Sequence, residues 1–266
     1  MKKFLLWFLV FLIGAGSMLY QRMTGPTYHF RGKVDVAGTQ VKFSLPRSSE
    51  IIKDCEVAVT VPEASVSGTL EYKRFKTNDP LTTLPLERKG DALVASLPKQ
   101  PMAGKLEYRV LLTKAEQSVS LTGGNPIVIR FRGVVPIWVL IPHVLFMLLA
   151  MVVSARAGLE ALGKGGNPQK LAQWAAILLF IAGFILGPMM QYYGFGKLWT
   201  GFPLGHDLTD NKTLVAMLVW ILALRVGRKG KPARGWILAA SIVSLIVFLI
   251  PHSLLGSELD YSKLPK

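Results

Sequence analysis

A polar block followed by a short apolar run occupies residues 205–225, which read GHDLTDNKTLVAMLVWILALR. The apolar part, 213–224, is too short to cross a bilayer, because about 30 Å of hydrocarbon requires roughly 20 helical residues at 1.5 Å each. The missing turns fall on the charged residues of the preceding block. Ionisable groups at membrane depth are candidates for function, so the block predicts where a site lies.

The other apolar runs are longer and cover residues 4–20, 135–154, 171–193 and 235–250. They explain why 51% of the 266 residues are hydrophobic. Runs of this length predict an integral membrane protein.

Basic residues set the predicted orientation. Lys2 and Lys3 precede the first run, and the loops 155–170 and 225–234 are rich in lysine and arginine. Because basic loops stay in the cytoplasm, the N-terminus and these loops are predicted to be cytoplasmic. The segment 21–134, the loop 194–212 and the C-terminal tail are then predicted to be periplasmic, in a bacterial inner membrane.

The segment after the first run alternates polar and apolar residues between turn residues, which predicts short strands. Eight are expected, at 28–36, 40–45, 56–61, 69–75, 83–88, 92–97, 105–113 and 127–132. This number in about 110 residues is typical of an immunoglobulin-like or fibronectin-like sandwich.

The predicted fold class is therefore a membrane α-helical bundle of five spans, one N-terminal anchor plus four, with an extracytoplasmic all-β immunoglobulin- or fibronectin-like sandwich. The predicted domains are a transmembrane anchor at 1–24, the sandwich at 25–134, a four-helix transmembrane domain at 135–253 and a periplasmic tail at 254–266. The anchor is expected to be retained, because no clear A-x-A cleavage site follows it. A cleaved signal peptide is the alternative.

The net charge of +15 does not predict a nucleic-acid partner. Much of it flanks the apolar runs, where it directs topology and contacts lipid headgroups. No nucleic-acid recognition motif accompanies it. The expected partners are the lipid bilayer and a membrane or periplasmic protein.

The predicted site is a pocket on the outer side of the membrane. Its candidate residues are His143, His206, Asp207, Asp210, Asn211, Lys212 and His252. The plain interpretation of Asp210 is an N-cap of the following helix. An exposed helix start beside Lys212 also suits an anion, and Asp207 can pair with Lys212 or with a histidine.

His143 and His252 are the candidates for a metal or haem site. Each ends a Leu-Ile-Pro-His tetrapeptide, at 140–143 and 249–252. Packing histidines are the plain interpretation, and no cofactor is the leading expectation. A b-type haem held by two histidines, or copper held with Met147 or Met151, are the alternatives.

Residues 199–213, WTGFPLGHDLTDNKT, and residues 249–258, LIPHSLLGSE, resemble a family of uncharacterised bacterial membrane proteins from Bacteroidetes-like genomes. The resemblance covers most of the chain. It implies a bacterial inner membrane and a periplasmic sandwich, and no activity.

Three functions remain open at this point. The leading hypothesis is a non-enzymatic structural or interaction subunit of a bacterial envelope complex, in which the periplasmic sandwich docks on the four-helix membrane unit. It is motivated by a β-region that contains no catalytic motif. The alternatives are a haem- or metal-binding redox protein and a small transporter or lipid-handling protein.

Overall fold

The computed structural model describes residues 2–163, 166–229, 233–252, 254 and 256–263. The chain divides into two compact units. The helical unit comprises Met1–Pro26 and Val135–Ser257, and the β-rich unit comprises Thr27–Val134 and Glu258–Lys266. Each unit is therefore built from two separate stretches of the chain.

The strands of the β-rich unit are short, as the closely spaced turn residues predict. They are β1 Phe30–Val36, β2 Thr39–Leu45, β3 Ser48–Glu50, β4 Cys55–Thr60, β5 Ser67–Arg74, β6 Thr82–Pro85, β7 Glu87–Lys89, β8 Ala92–Leu97, β9 Lys105–Lys114, β10 Gln117–Ser120 and β11 Ile127–Arg132.

These strands form three sheets. The hairpin β1-β2 is a sheet of its own, and β4-β8-β7 form another. The largest sheet has the order β3-β11-β9-β5-β6, with β10 also paired to β9. Its β3–β11 pair is parallel, with Arg130 opposite Ser48, whereas β5 and β9 pair antiparallel over eight residues from Ser67 to Arg74.

One hydrophobic core fills the β-rich unit. Alternate residues of β5, β9 and β11 point into it, among them Leu70, Tyr108 and Ile129. The hydroxyl of Tyr108 donates a hydrogen bond of 2.7 Å to the carbonyl oxygen of Pro46. Burial raises the pKa of the Tyr108 phenol far above its usual range, so this side chain is a neutral, bonded part of the core.

A C-terminal segment completes the β-rich unit. The Leu259 amide donates to the carbonyl of Ala103, at 3.1 Å. The hydroxyl of Tyr261 accepts the Lys105 amide and lies 2.9 Å from the Lys105 carbonyl. Glu258 forms an ion pair with the Lys105 amine at 2.6 Å. Residues distant in sequence thus extend the hydrogen bonding at the start of β9.

The predicted fold class is wrong. The element order is an N-terminal helix, a β-rich middle of three sheets and helices on the C-terminal side, and not a five-span bundle with one two-sheet sandwich. Among the described residues, three helices are long and apolar enough to cross a membrane, at Lys3–Thr24, Ile137–Leu162 and Pro168–Phe195. Alternation detects strands but not their pairing, and runs of apolar residues do not show where a helix begins.

The helices of the helical unit follow the apolar runs but extend beyond them. They are α1 Lys2–Thr24, α2 Ile137–Leu162, α3 Pro168–Phe180, α4 Gly187–Phe195, α5 Leu208–Val226 and α6 Arg234–Leu249. A π-helical segment, Ile181–Leu186, joins α3 to α4. Pro188 explains it, because proline has no N–H for the usual bond and crowds the carbonyl four residues earlier. The Gly187 amide bonds instead to Ala182, five residues back.

Small residues and hydroxyls bring these helices close together. A Cβ on Gly158 of α2 would lie 2.4 Å from the Ser241 hydroxyl of α6, and that hydroxyl donates to the Ser154 carbonyl at 2.9 Å. The indole of Trp220 in α5 donates to the Ser244 hydroxyl at 2.8 Å. Close approach of helix backbones at small residues, together with hydrogen bonds between side chains, is typical of helix packing in membranes.

Candidate functional site

The start of α5 is fixed by Asp207. One carboxylate oxygen accepts the Thr209 amide at 2.8 Å, which makes Asp207 the N-cap. The other oxygen accepts the amide and the hydroxyl of Ser257 at 2.8 and 2.9 Å. Capping by Asp210 was predicted from the sequence, and this prediction is wrong by one helical turn. The helix begins earlier than predicted, at Leu208, so residues 208–212 of the polar block form its first turn.

Asp210 lies in the first turn of α5 and binds the loop 196–207 that precedes the helix. Its carboxylate accepts the amides of Thr200 and Gly201 at 2.7 and 2.9 Å. The side-chain amide of Gln191 donates to both carboxylate oxygens, at 3.0 and 3.1 Å. Asp210 is only 8% exposed. These donors compensate for the hydrogen bonds to water that the carboxylate loses on burial.

Only glycine fits at two positions of the loop, at Gly201 beside α5 and at Gly205 beside Thr200 of the loop itself. A Cβ on Gly201 would lie 2.5 Å from the Cβ of Asp210, and a Cβ on Gly205 would lie 2.3 Å from the Thr200 carbonyl oxygen. Asn211 adds a further bond, because its side-chain oxygen accepts the Phe202 amide at 2.6 Å. The first turn of α5 therefore serves as a clamp for residues 200–202.

Lys212 bonds the C-terminal end of a helix, whereas Asp207 and Asp210 lie at a helix N-terminus. Its amine donates to the carbonyl of Ile250, just beyond α6, at 2.6 Å, and its side chain is only 6% exposed. The side chain of Gln21 in α1 donates to the same carbonyl at 2.8 Å and to Phe248 at 2.9 Å. The carbonyls that a helix leaves unpaired at its C-terminus are thus bonded by two other helices.

Helix dipoles explain this distribution of charge. Asp207 and Asp210 lie at the N-terminus of α5, where negative charge is favoured, and Lys212 contacts the C-terminal end of α6, where positive charge is favoured. The predicted pair between Asp207 and Lys212 is not among the ion pairs of the described residues. The acids and the lysine stabilise different helix ends.

The three candidate histidines have different surroundings. His143 in α2 donates from Nδ1 to the Ala182 carbonyl in the π-helical segment, at 3.1 Å. His252 lies just beyond α6 and is exposed. His206 is exposed beside the cap. His143 is therefore hydrogen-bonded to another helical segment, which is the role of a packing histidine.

In the parts of the chain that the structure describes, no group of three or more histidine, cysteine or acidic side chains has a geometry suited to a metal ion. Met147 and Met151 are buried in the core of the helical unit. They pack against other apolar side chains there, which is the usual role of methionine in helices.

Four partners of the polar cluster were missed in the sequence: Gln21, Gln191, Thr200 and Ser257. Gln21 and Gln191 gave a usable signal, because each is a polar residue at or near the end of an apolar run. A buried glutamine there needs partners. Thr200, which bonds through its hydroxyl as well as its backbone amide, lies in a loop, and Ser257 is one serine of a polar tail, so neither stands out by residue type.

No protein-family model, no curated protein and no solved structure matches this chain. The resemblance of residues 199–213 and 249–258 to bacterial membrane proteins therefore stays a prediction, and the function must be argued from the residues themselves.

Proposed function

We propose that this chain is a non-enzymatic structural or interaction subunit of a bacterial envelope complex, held in the inner membrane. The observation that carries the proposal is the use made of the charged cluster. Asp207, Asp210 and Lys212 are each bonded to backbone groups at helix ends or in the adjoining loop. The charged side chains of the helical unit therefore hold its helix ends and the adjoining loop in one rigid arrangement.

The proposed location has the N-terminus in the cytoplasm and both the β-rich unit and the C-terminus in the periplasm. The basic loops support it. A further support is that Glu258–Lys266 belongs to the same compact unit as Thr27–Val134. Both stretches must then lie on one side of the membrane, so the helices between them cross it an even number of times.

The test is the mass of the assembled protein. The chain, tagged and expressed at its native level, is extracted from membranes in polymer-bounded lipid discs and analysed by native mass spectrometry. We expect one or more protein partners at fixed stoichiometry, with a total mass well above the 29.3 kDa of the chain. A lone monomer that carries a stoichiometric haem or metal would contradict the proposal and favour the redox alternative.

A second candidate function, lipid handling, is favoured by an apolar groove in the helical unit. The groove has a volume of about 470 Å³ and is lined by Tyr20, Ile246, Leu249, Ile250, Pro251 and Leu254. It adjoins the Ile250 carbonyl that Gln21 and Lys212 bind. An acyl chain in the groove would place its polar end near these two donors.

This candidate is tested by filling the groove. Ile246→Trp adds volume at an exposed, lipid-side position, and Ile242→Trp, one turn earlier on the same helix and equally exposed, is the matched control. If the groove binds lipid, the Ile246 variant alone loses tightly held phospholipid in native mass spectra. Equal lipid retention in both variants would exclude this function.

A further inference from the structure

The loop 196–207 displays bare apolar side chains at its tip. Leu198, Phe202 and Leu204 are 58, 68 and 77% exposed. Leu198 and Leu204 lie on either side of residues 200–202, whose amides Asp210 and Asn211 bind. Contiguous exposed apolar residues mark surfaces that bind something, and here they are held in a defined conformation by a buried carboxylate.

The backbone amides at the tip of the same loop are hydrogen-bonded within the protein. Every amide from Thr200 to Gly205 that carries a hydrogen has a partner inside the protein. Thr200 and Gly201 donate to Asp210, Phe202 donates to Asn211, and Leu204 and Gly205 donate to the Gly201 carbonyl. The remaining position is Pro203, which has no amide hydrogen.

Three carbonyls of the tip, those of Thr200, Gly201 and Phe202, are also bonded. Thr200 accepts the Asp207 amide at 2.9 Å, and Phe202 accepts the indole N–H of Trp199 at 3.1 Å. A loop in water has no need of such partners, because solvent supplies them. In hydrocarbon each unsatisfied group costs several kcal/mol, so only a backbone bonded internally can enter it.

We propose that residues 198–204 insert into the outer leaflet of the bilayer as a membrane-dipping loop. The loop follows the candidate span Pro168–Phe195 directly, so it begins where that span meets the membrane surface. Lys197 is exposed beside Leu198, where its amine can contact lipid phosphate. Tyr193 and Trp138 form an edge-to-face pair 6.1 Å apart near the same span end, as interfacial aromatics do.

The experiment places an environment-sensitive fluorophore at the tip. Cys55, the single cysteine, is buried and is replaced by serine. Phe202→Cys and Leu204→Cys are then labelled with nitrobenzoxadiazole in vesicles of phosphatidylethanolamine and phosphatidylglycerol. We expect blue-shifted emission that is quenched by nitroxide groups on lipid acyl chains and not by aqueous iodide.

Two reference positions make the result decisive. Leu145→Cys lies on the exposed face of the candidate span Ile137–Leu162, and Ile52→Cys is exposed on the β-rich unit. If Leu145 is quenched by lipid while Phe202 and Leu204 are quenched by iodide, the dipping loop is wrong although the membrane location holds. If Leu145 itself is quenched by iodide, the proposed location fails as well.

Protection of the tip from both quenchers would also overturn the inference, because it would show a protein partner there in place of lipid. A measurement on the unmodified chain guards against a mutational artefact. A photoactivatable phospholipid with its reactive group in the acyl chain should cross-link to residues 198–204, and peptides from 48–54 of the β-rich unit should remain unlabelled. Absence of cross-links at 198–204, with cross-links present on α2, would overturn the inference.

Discussion

The amine of Lys212 and the side-chain amide of Gln21 converge on one acceptor, the carbonyl oxygen of Ile250, at 2.6 and 2.8 Å. Three helices meet at this single oxygen, α5 and α1 as donors and α6 as acceptor. Because the acceptor has two partners, loss of either one leaves it bonded.

This redundancy predicts a non-additive double-mutant cycle. Lys212→Met and Gln21→Leu keep most of the apolar volume and remove one donor each, so each should reduce the free energy of unfolding by about 1 kcal/mol. The double variant leaves the buried carbonyl without a donor and should cost about 1 kcal/mol more than the sum. Unfolding in lipid discs, followed by the intrinsic fluorescence of the six tryptophans, measures all four states. Strict additivity would show that the two donors act independently.

Asp210 should be the most sensitive residue of the cluster. Asp210→Ala removes the acceptor of two backbone amides and of Gln191, and should reduce stability by about 3 kcal/mol. Asn211→Ala removes the acceptor of one amide and should cost about 1 kcal/mol. Hydrogen exchange of the Thr200 and Gly201 amides, read by mass spectrometry, should accelerate in the first variant.

The control for Asp210 is Asp54→Ala, an exposed carboxylate that accepts the Lys99 amide in the β-rich unit. It should leave exchange in the loop 196–207 unchanged. Unaltered exchange at Thr200 and Gly201 in the Asp210 variant would show that the loop does not depend on the carboxylate.

Glycine at 201 is predicted to be irreplaceable. In Gly201→Ala the new Cβ would meet the Cβ of Asp210 at 2.5 Å, and such overpacking costs about 1–3 kcal/mol. Gly194 is a matched control, because it is buried and helical, and a Cβ added there would have no neighbour within 4 Å. Gly194→Ala should be neutral or stabilise by about 0.5 kcal/mol. The thermal midpoint in lipid discs distinguishes the two, and an equal effect of both would refute the steric argument.

Part of this arrangement was predictable from residue types. An acid near the start of an apolar helix predicts a cap, and the polar block 205–212 did prove to be the start of α5. Asp207 caps the helix in place of Asp210, and Asp210 binds the loop. Either carboxylate could cap a helix that starts at the next residue, and only the path of the loop decides between them. Backbone amides are the same in every residue except proline, so the sequence does not show which of them Asp210 binds. Gly201 and Gly205 indicate that another group lies close, but not which group.

The β-rich middle shows the same limit at a larger scale. Alternation correctly indicated strands around Leu70 and Tyr108, yet the three-sheet division rests on pairings such as Ser48 with Arg130. This pairing joins residues 82 positions apart, from 48 to 130. A strand of three residues, such as Ser48–Glu50, is too short for a periodic pattern.

Acid should loosen the β-rich unit through Glu63. The Lys114 amine, followed by the hydroxyls of Thr39 and Ser65, bonds this carboxylate and lowers its pKa to about 2. Because the pKa is lower in the folded than in the unfolded chain, Glu63 contributes stability above pH 4.5, its ordinary pKa, and this contribution is lost as the pH falls towards 2. Access of 4,4′-dithiodipyridine to buried Cys55 should rise over that range.

The comparison with Glu63→Gln isolates this effect, because the amide does not titrate and the intrinsic pH dependence of the thiol reaction cancels. The ratio of labelling rates, variant to native chain, should be above one at neutral pH and approach one near pH 2. A ratio that stays constant with pH would mean that Glu63 is not the titrating group.

Tyr261 should hold the C-terminal segment on the β-rich unit. Tyr261→Phe keeps the ring beside Arg74 and removes the hydroxyl that accepts the Lys105 amide. Hydrogen exchange at Lys105 and at residues 259–263 should increase by about tenfold if roughly 1.4 kcal/mol is lost. Tyr28→Phe, a tyrosine that stacks on Arg31, is the control and should change neither.

The discontinuous make-up of the β-rich unit bears on how the protein is made. Its first stretch, Thr27–Val134, leaves the ribosome long before Glu258 does, by 124 residues or roughly 6–25 s at a synthesis rate of about 5–20 residues per second. During that interval the Lys105 amide lacks the Tyr261 hydroxyl, and Lys105 and Lys76 lack the carboxylate of Glu258. Completion of the unit therefore waits for the synthesis of every helix between them, so a chain stalled during synthesis presents an open β-rich unit to the quality-control proteases of its compartment.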